Sequence, residues 1–287
     1  MSLEYKQVQP PEGINVSMEH PLKEFSFLLI SVLLLFVVAV TTISFAVHLL
    51  SPLIPFSAEQ KIAKVFVDKV NKEYPNENIE ITHYLQTLAD SLTKVEGLPG
   101  DMSITVHYID SDTINAFATL GGNLFFFRGL LENVPSENAL QMVMAHEIAH
   151  IKHRHPIKAL GRSVIISSVI AFLNISVGNS VMGNIFGDAG LLTALQFSRE
   201  HEEQADETAM AALVKLNGHI GGADSLFEIL RESNSESLQL PEFFSSHPHM
   251  ENRVANFSLM AEQHGWQTSG PLTALPAQFN EWINAKK

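Results

Sequence analysis

The chain has 287 residues, of which 46% are apolar and 17% are charged, and it contains no cysteine. Eighteen Lys and Arg against 31 Asp and Glu give a formal net charge of -13. An acidic chain without a basic cluster is poorly suited to nucleic acid, because phosphate contacts require clustered Lys and Arg. The lack of cysteine excludes disulfides, thiolate metal ligands and a cysteine nucleophile. Histidine is the unusual count, since four of the 13 lie between positions 146 and 155.

The first feature along the chain is an apolar segment. No Asp, Glu, Lys or Arg occurs from Phe25 to Ala58, and residues 25–50 are long enough to cross a bilayer as a helix. A cleaved signal peptide is the alternative, but this apolar run is longer than a signal core and follows a polar tail, residues 1–24. We therefore predict one uncleaved transmembrane helix over residues 25–50. Lysines flank it on both sides, so its orientation is not decided by charge.

The remaining chain mixes helical and β periodicity. Apolar spacing and end signals predict helices over residues 57–74, 85–97, 135–153 and 198–216. Alternating β-rich segments predict strands over residues 103–109, 113–119 and 123–127, the last two joined by a tight turn at Gly121 and Gly122. These elements predict an α+β fold that is mainly helical, with a small β-sheet.

The strongest chemical motif is HExxH at His146, Glu147 and His150. Residues four apart lie on one face of a helix, so both imidazoles can reach one metal ion. Glu147 lies beside that face and can deprotonate a water bound to the metal. Zinc suits this role, because two histidines and a carboxylate leave one coordination position open.

The third ligand has to come from elsewhere, because the pattern HExxHxxGxxH is not met after His150. The charged helix predicted over residues 198–216 offers Glu202 and Glu203. Asp206 follows Glu202 by four residues, where it could accept a hydrogen bond from the second ring nitrogen of a ligand histidine. We therefore favour Glu202 as the ligand and retain Glu203 as the alternative.

The motifs together resemble those of metallopeptidase family 48, which includes the CAAX prenyl proteases and the HtpX-like heat-shock proteases. The resemblance rests on HEIAHIKHRH, on EEQAD about fifty residues later, and on Ser246-His247-Pro248 with Arg253 downstream. The segment Asn115–Ala118 with Gly121, Gly122 and Asn123 also looks like the family pattern. The match covers roughly residues 60 to 260.

The resemblance implies a gluzincin-type, zincin-like fold with one zinc ion bound by His146, His150 and Glu202, and with Glu147 as the general base. It also implies that His247 lies near the metal, where it would stabilise an oxyanion or cap an inactive site. Arg253 is expected to brace the site through a buried pair. The several spans of the prenyl proteases are missing from this sequence, so prenylated substrates are not implied.

Two segments leave alternatives open. Residues 123–127 are either a core strand or an edge strand that pairs with an extended substrate next to Gly121, Gly122 and Asn123. Residues 163–197 are apolar and contain glycines, and we expect a hairpin or flap rather than a membrane span, because His146 and Glu202 must meet on one side of the membrane. His153 and His155 are expected to be surface residues or to support the ligands.

The sequence predicts a polar tail (1–24), an anchor (25–50), a metalloprotease domain (57–264) and a C-terminal extension (265–287). The function predicted is a membrane-anchored zinc metalloendopeptidase that cleaves protein or peptide substrates in quality control of envelope or membrane proteins. The alternative is a membrane-tethered, zinc-containing chaperone-like or binding module with suppressed proteolysis. By resemblance, the domain is expected on the periplasmic side of a bacterial inner membrane, and the sequence does not indicate an oligomeric state.

Overall fold

The structure is a computed structural model that describes residues 21–50, 53–75, 78–163, 197–234, 243, 247 and 253–285. Most of the predicted polar tail and residues 164–196 of the predicted hairpin lie outside the described residues. The division into domains stays a prediction.

The predicted apolar helix and the four other predicted helices are present, although the helix predicted from residue 85 begins at Ile79 and several further helices are not predicted. The longer ones among the described residues are α1 (Pro21–Leu50), α2 (Phe56–Glu73), α3 (Ile79–Glu96), α5 (Glu137–Lys152), α6 (Arg199–Asn217), α7 (Ser225–Asn234) and α8 (Arg253–His264). Two are short, α4 (Arg128–Leu131) and α9 (Phe279–Asn284). A further helical segment covers residues 155–163, shortly after the end of α5.

The described residues contain one three-stranded sheet, formed by β1 (Thr105–Ile109), β2 (Ala116–Thr119) and β3 (Asn123–Phe127). The strand order is β1-β3-β2, with β3 parallel to β1 and antiparallel to β2. The predicted turn between β2 and β3 is present as a short 3-10 segment, Leu120–Gly122. Because β3 is the central strand, the edge-strand alternative for residues 123–127 is wrong.

Helix α5 lies at the centre of the hydrophobic core. Every residue from Asn138 to Ile151 is buried, and α5 contacts α3, α6 and β2. The same core includes Phe279 and Ile283 of α9, so the predicted C-terminal extension packs on the domain. A mainly helical α+β fold is therefore confirmed, with the metal-binding motif at its centre.

Helix α1 differs from all of these because its apolar side chains face outward. The segment Leu22–Val47 is long and apolar enough to cross a membrane, and none of its most apolar window is buried in the protein. It is the one such helix among the described residues. These properties fit the single-pass topology that the sequence predicts.

Candidate metal centre

Helix α5 places His146 and His150 side by side. The Ser136 side chain caps the helix by accepting a hydrogen bond from the Ala139 N–H at 3.2 Å. Since the two histidines are four residues apart, they lie on one face, and their Nε2 atoms are 2.9 Å apart. Both rings are completely buried. The helix therefore presents two imidazole nitrogens to one point.

Helix α6 brings the third candidate ligand to the same point. The Glu202 carboxylate lies 3.4 Å from Nε2 of His146 and 3.5 Å from Nε2 of His150. Glu202 is buried, whereas the rival Glu203 is exposed. One turn further along α6, Asp206 lies 2.9 Å from Nδ1 of His146. The geometry therefore joins Glu202 to the cluster and puts Asp206 behind His146, while the roles of Glu202 as a ligand and of Asp206 as its support stay predictions.

His247 supplies a fourth donor. Its Nδ1 lies 3.1 and 3.2 Å from the two Glu202 oxygens and 3.3 Å from Nε2 of His146. One donor atom from each of His146, His150, Glu202 and His247 lies within 4.8 Å of the other three. Imidazole nitrogen and carboxylate oxygen are donors that zinc and similar divalent metals accept. The four side chains therefore fit a metal ion.

Glu147 is the buried acid next to these donors. Its Oε1 lies 3.2 Å from Nε2 of His247, but neither Glu147 oxygen has a hydrogen-bond partner. Apart from this ion pair with His247, the buried Glu147 carboxylate lacks hydrogen-bond partners, which is costly to the fold unless the group acts in function. A water molecule at the metal would give Glu147 a hydrogen-bond partner and place it to accept a proton.

The buried carboxylates and histidines of the cluster shift one another's pKa values. Burial raises the pKa of Glu202, but His247 and His146 outweigh burial and hold this pKa well below its usual 4.5. Burial lowers the pKa of His247, but Glu202 and Glu147 raise it to about 10. Burial and the nearby His146 hold the pKa of His150 well below 6.5. The two neighbouring carboxylates therefore favour the protonated form of His247, and binding a metal through Nδ1 would require the loss of that proton.

Two residues lie behind His150: His155, for which the sequence predicts a surface or a supporting position, and Gln204, which the sequence did not assign to the site. Nδ1 of His155 lies 2.9 Å from Nδ1 of His150, and Nε2 of His155 lies 3.0 Å from Oε1 of Gln204. Burial lowers the pKa of His155 to about 2, so this ring is neutral. Phe197 stacks on the His150 ring, with centroids 3.9 Å apart. His155, which is held by Gln204, thus contacts Nδ1 of His150 in the same way that Asp206 contacts Nδ1 of His146.

The other predicted site residues lie elsewhere. Gly121 and Gly122 are buried, and the Gly121 N–H donates to the Glu59 carboxylate. Asn123 is bound by His107 from β1 and donates to the carbonyl oxygen of Leu120. Arg253 begins α8, but its side chain lies outside the described residues. The substrate-binding role of these glycines and the bracing role of Arg253 stay predictions.

The fold and the site define a class of protein. Two histidines and a carboxylate that converge from two core helices, with the Glu147 carboxylate beside them, are the arrangement of a metallopeptidase. The model of peptidase family M48 matches residues 80–261. The chain belongs to this family.

Curated relatives share part of the chain. It is 26% identical over 201 residues to the mitochondrial metalloendopeptidase OMA1 of Schizosaccharomyces pombe, a match that covers 68% of this chain and 59% of that protein. It is 29% identical over 164 residues to the beta-barrel assembly-enhancing protease of Escherichia coli, over 54% of this chain and 34% of the relative. The chain is also 29% identical over 164 residues to the metalloendopeptidase OMA1 of Danio rerio, a match that covers 52% of this chain and 34% of that protein. The chain thus spans between about a third and three fifths of the length of these relatives.

Proposed function

We propose that the protein is a membrane-anchored, zinc-dependent endopeptidase with one zinc ion per chain. The observation that carries the proposal is the convergence of His146, His150 and Glu202 beside a carboxylate, Glu147, that has no hydrogen-bond partner. The family match and the relatives, which are named as proteases, support the same activity.

In the proposed reaction Glu147 performs the proton transfers. It accepts a proton from the water that attacks the scissile carbonyl, and it returns that proton to the leaving amine. Asp206 and His155 hold the two ligand rings so that each Nε2 faces the cluster. Nε2 of His247 lies 3.2 Å from Oε1 of Glu147, next to the proposed base, and an N–H at this nitrogen would donate a hydrogen bond to the developing oxyanion.

Zinc is the metal that this donor set suits best. Two histidines and one carboxylate, without thiolates, are a common ligand set of hydrolytic zinc enzymes. When bound, zinc supplies Lewis acidity that polarises the carbonyl and lowers the pKa of a water to about 7.

The substrates proposed are proteins of the membrane or envelope that have lost their native structure. Two observations support this proposal: the candidate span Leu22–Val47, and the name of the Escherichia coli relative, which refers to the assembly of β-barrels. A bacterial inner membrane with the domain on the periplasmic side remains part of the proposal.

The test is cleavage of an unfolded model protein by the purified full-length chain with zinc. We expect Glu147→Gln to retain zinc and to lower kcat by about 10²–10⁴-fold, because an amide cannot act as a base. Glu203→Gln, an exposed change on α6, is the control that should leave cleavage unaffected. Undiminished cleavage by Glu147→Gln would exclude Glu147 as the base.

A second candidate function is a tethered zinc module in which His247 suppresses proteolysis. It is favoured by the position of Nδ1 of His247 among the four donor atoms, because a fourth protein ligand would close the open coordination position. The variant His247→Ala separates the two roles. Increased cleavage by the variant supports capping, whereas decreased cleavage with zinc retained supports a role in the reaction.

A further inference from the structure

The end of the membrane helix touches the chain just after the active-site helix. A Cβ atom added to Gly161 would lie 2.6 Å from Cγ1 of Val47. Gly161 belongs to the helical segment 155–163, whose first residue contacts the ligand His150. Val47 is the last residue of the candidate span. Gly161 therefore contacts α1 at the end of the candidate span.

A second contact ties the same two regions together. The Arg154 guanidinium donates to the Ile54 carbonyl oxygen at 2.7 Å and to Oε1 of Glu59 at 2.6 Å. Ile54 lies between the anchor and α2, while Arg154 lies four residues after His150. Glu59 also accepts the Gly121 N–H, which extends the contact to the sheet. Two independent contacts thus hold the metal centre close to the end of the anchor.

The surface next to the anchor is suited to lipid. Leu53 and Val65 are each 73% exposed, and Ile62 of α2 is also exposed. Lys61 and Lys64 are exposed beside them on the same helix. Exposed apolar side chains accompanied by lysines are typical of a helix at a bilayer interface, where lysines meet anionic headgroups.

These contacts limit the distance from the metal centre to the bilayer. From Gly161 to His155 the helix rises about 9 Å, and adding the side chains of His155 and His150 gives roughly 20 Å at most. An extended polypeptide covers that distance in about six residues. A substrate anchored in the same bilayer therefore reaches the site with its first residues outside the membrane.

We propose that this site acts on membrane-anchored polypeptides, at peptide bonds within roughly ten residues of the hydrocarbon boundary. The proposal rests on the proposed endopeptidase function and specifies its substrate class. The anchor is then a device that sets the height of the metal centre above the bilayer.

The first test measures that height without relying on catalysis. The chain contains no cysteine, so single labels are possible in the full-length protein. Glu200→Cys puts a fluorophore on α6 next to Glu202, and Glu281→Cys puts it on α9. Helix α9 contacts Tyr84, which binds Glu137 at the opposite end of α5, about 20 Å from His150.

Both labelled proteins are placed in vesicles of phosphatidylethanolamine and phosphatidylglycerol that carry an acceptor dye on the headgroups. We expect at least twofold higher energy transfer from position 200 than from position 281. Equal transfer, or higher transfer from position 281, overturns the proposal.

The second test measures cleavage in the same vesicles. The probe is a single apolar helix followed by an unstructured segment, with one cleavable sequence placed about six or about forty residues from the helix. We expect the near site to be cut at least tenfold faster, and equal rates overturn the proposal. An unanchored peptide with the same sequence reports endopeptidase activity alone. If neither anchored probe nor free peptide is cut, the proposed function fails, even where energy transfer shows the site close to the bilayer.

Discussion

Each ligand histidine has a partner that determines where its proton lies. Asp206 is an acceptor for Nδ1 of His146, so the Nε2 lone pair of that ring faces the cluster. His155 does the same for His150, because the Gln204 carbonyl oxygen takes the N–H of His155 and leaves its Nδ1 as the acceptor. Both candidate ligands are therefore oriented before a metal arrives.

This arrangement predicts that His155 contributes to metal affinity although it does not touch the metal. We expect His155→Leu to weaken zinc binding by about 10–100-fold, because Nδ1 of His150 loses its acceptor. His153→Leu is the matched control, since Nε2 of His153 contacts Thr208 and no ligand. Competition with a chelator measures both affinities, and thermal unfolding of the metal-free proteins verifies that they fold. Equal affinities in the two variants would contradict the role of His155.

Another buried acid, Glu96, lies at the end of α3 and outside the metal centre. Neither of its carboxylate oxygens has a hydrogen-bond partner. Burial raises its pKa well above the usual 4.5, although Lys152 and Lys215 partly oppose this shift. As the pH rises, the Glu96 carboxyl therefore ionises in the unfolded chain at a lower pH than in the folded protein. The contribution of Glu96 to stability is complete below pH 4.5 and declines as the pH approaches the raised pKa.

We expect Glu96→Gln to reduce the loss of stability between pH 5 and pH 8. Chemical unfolding of the wild type and the variant at both pH values measures the difference. Glu80→Gln, an exposed change on the same helix, should alter the free energy of unfolding by less than about 0.5 kcal/mol at either pH. If the free energy of unfolding has the same pH dependence in the Glu96 and Glu80 variants, Glu96 is not held in its neutral form in the folded protein.

Among the elements, the turn between β2 and β3 has the strictest requirement for glycine. Gly122 has a φ of +81°, and a Cβ atom there would overlap the carbonyl oxygen of Ser103. Gly97, at the end of α3, has a φ of +67° but open space around the same position. Both positions have a left-handed backbone, but only Gly122 would suffer a steric overlap. Substituting each glycine with alanine therefore distinguishes the cost of the overlap from the cost of the backbone conformation.

We expect Gly122→Ala to destabilise the protein by more than about 2 kcal/mol, since the strand pair has to move. Gly97→Ala should cost about 1 kcal/mol, which is the penalty of the left-handed conformation alone. Thermal unfolding measures both. A Gly122→Ala variant with normal stability and a raised KM would instead support the predicted contact with substrate.

Among the elements, sequence patterns predict geometry within one helix better than contacts between segments. HExxH predicts its own geometry, because residues four apart share a helix face whatever surrounds them. The sequence leaves His155 either on the surface or behind a ligand, because it does not show that α5 ends at Lys152 and that Arg154 adopts a φ of 60° before the next helical segment. A non-glycine residue rarely takes this conformation, and nothing in the local sequence predicts it. The central position of β3 was equally unpredictable, since it depends on the distant strand β1.

At the scale of the whole molecule, composition predicts the anchor and motif spacing predicts the family. An apolar stretch such as Leu22–Val47 is recognisable without any tertiary information. The contacts of Gly161 with Val47 and of Arg154 with Ile54 are different, because each joins residues about a hundred positions apart. These contacts connect the height of the metal centre to the membrane, a property that the linear sequence does not contain.

The central claim is that His146, His150 and Glu202 form the metal centre. Its most direct test is the zinc content of the purified full-length protein, with the coordinating atoms counted by X-ray absorption. We expect one zinc ion per chain with two histidine nitrogens and carboxylate oxygen, retained in Glu203→Ala and lost or weakened at least tenfold in Glu202→Ala. Full zinc content in Glu202→Ala, or loss of zinc in Glu203→Ala alone, would contradict the account.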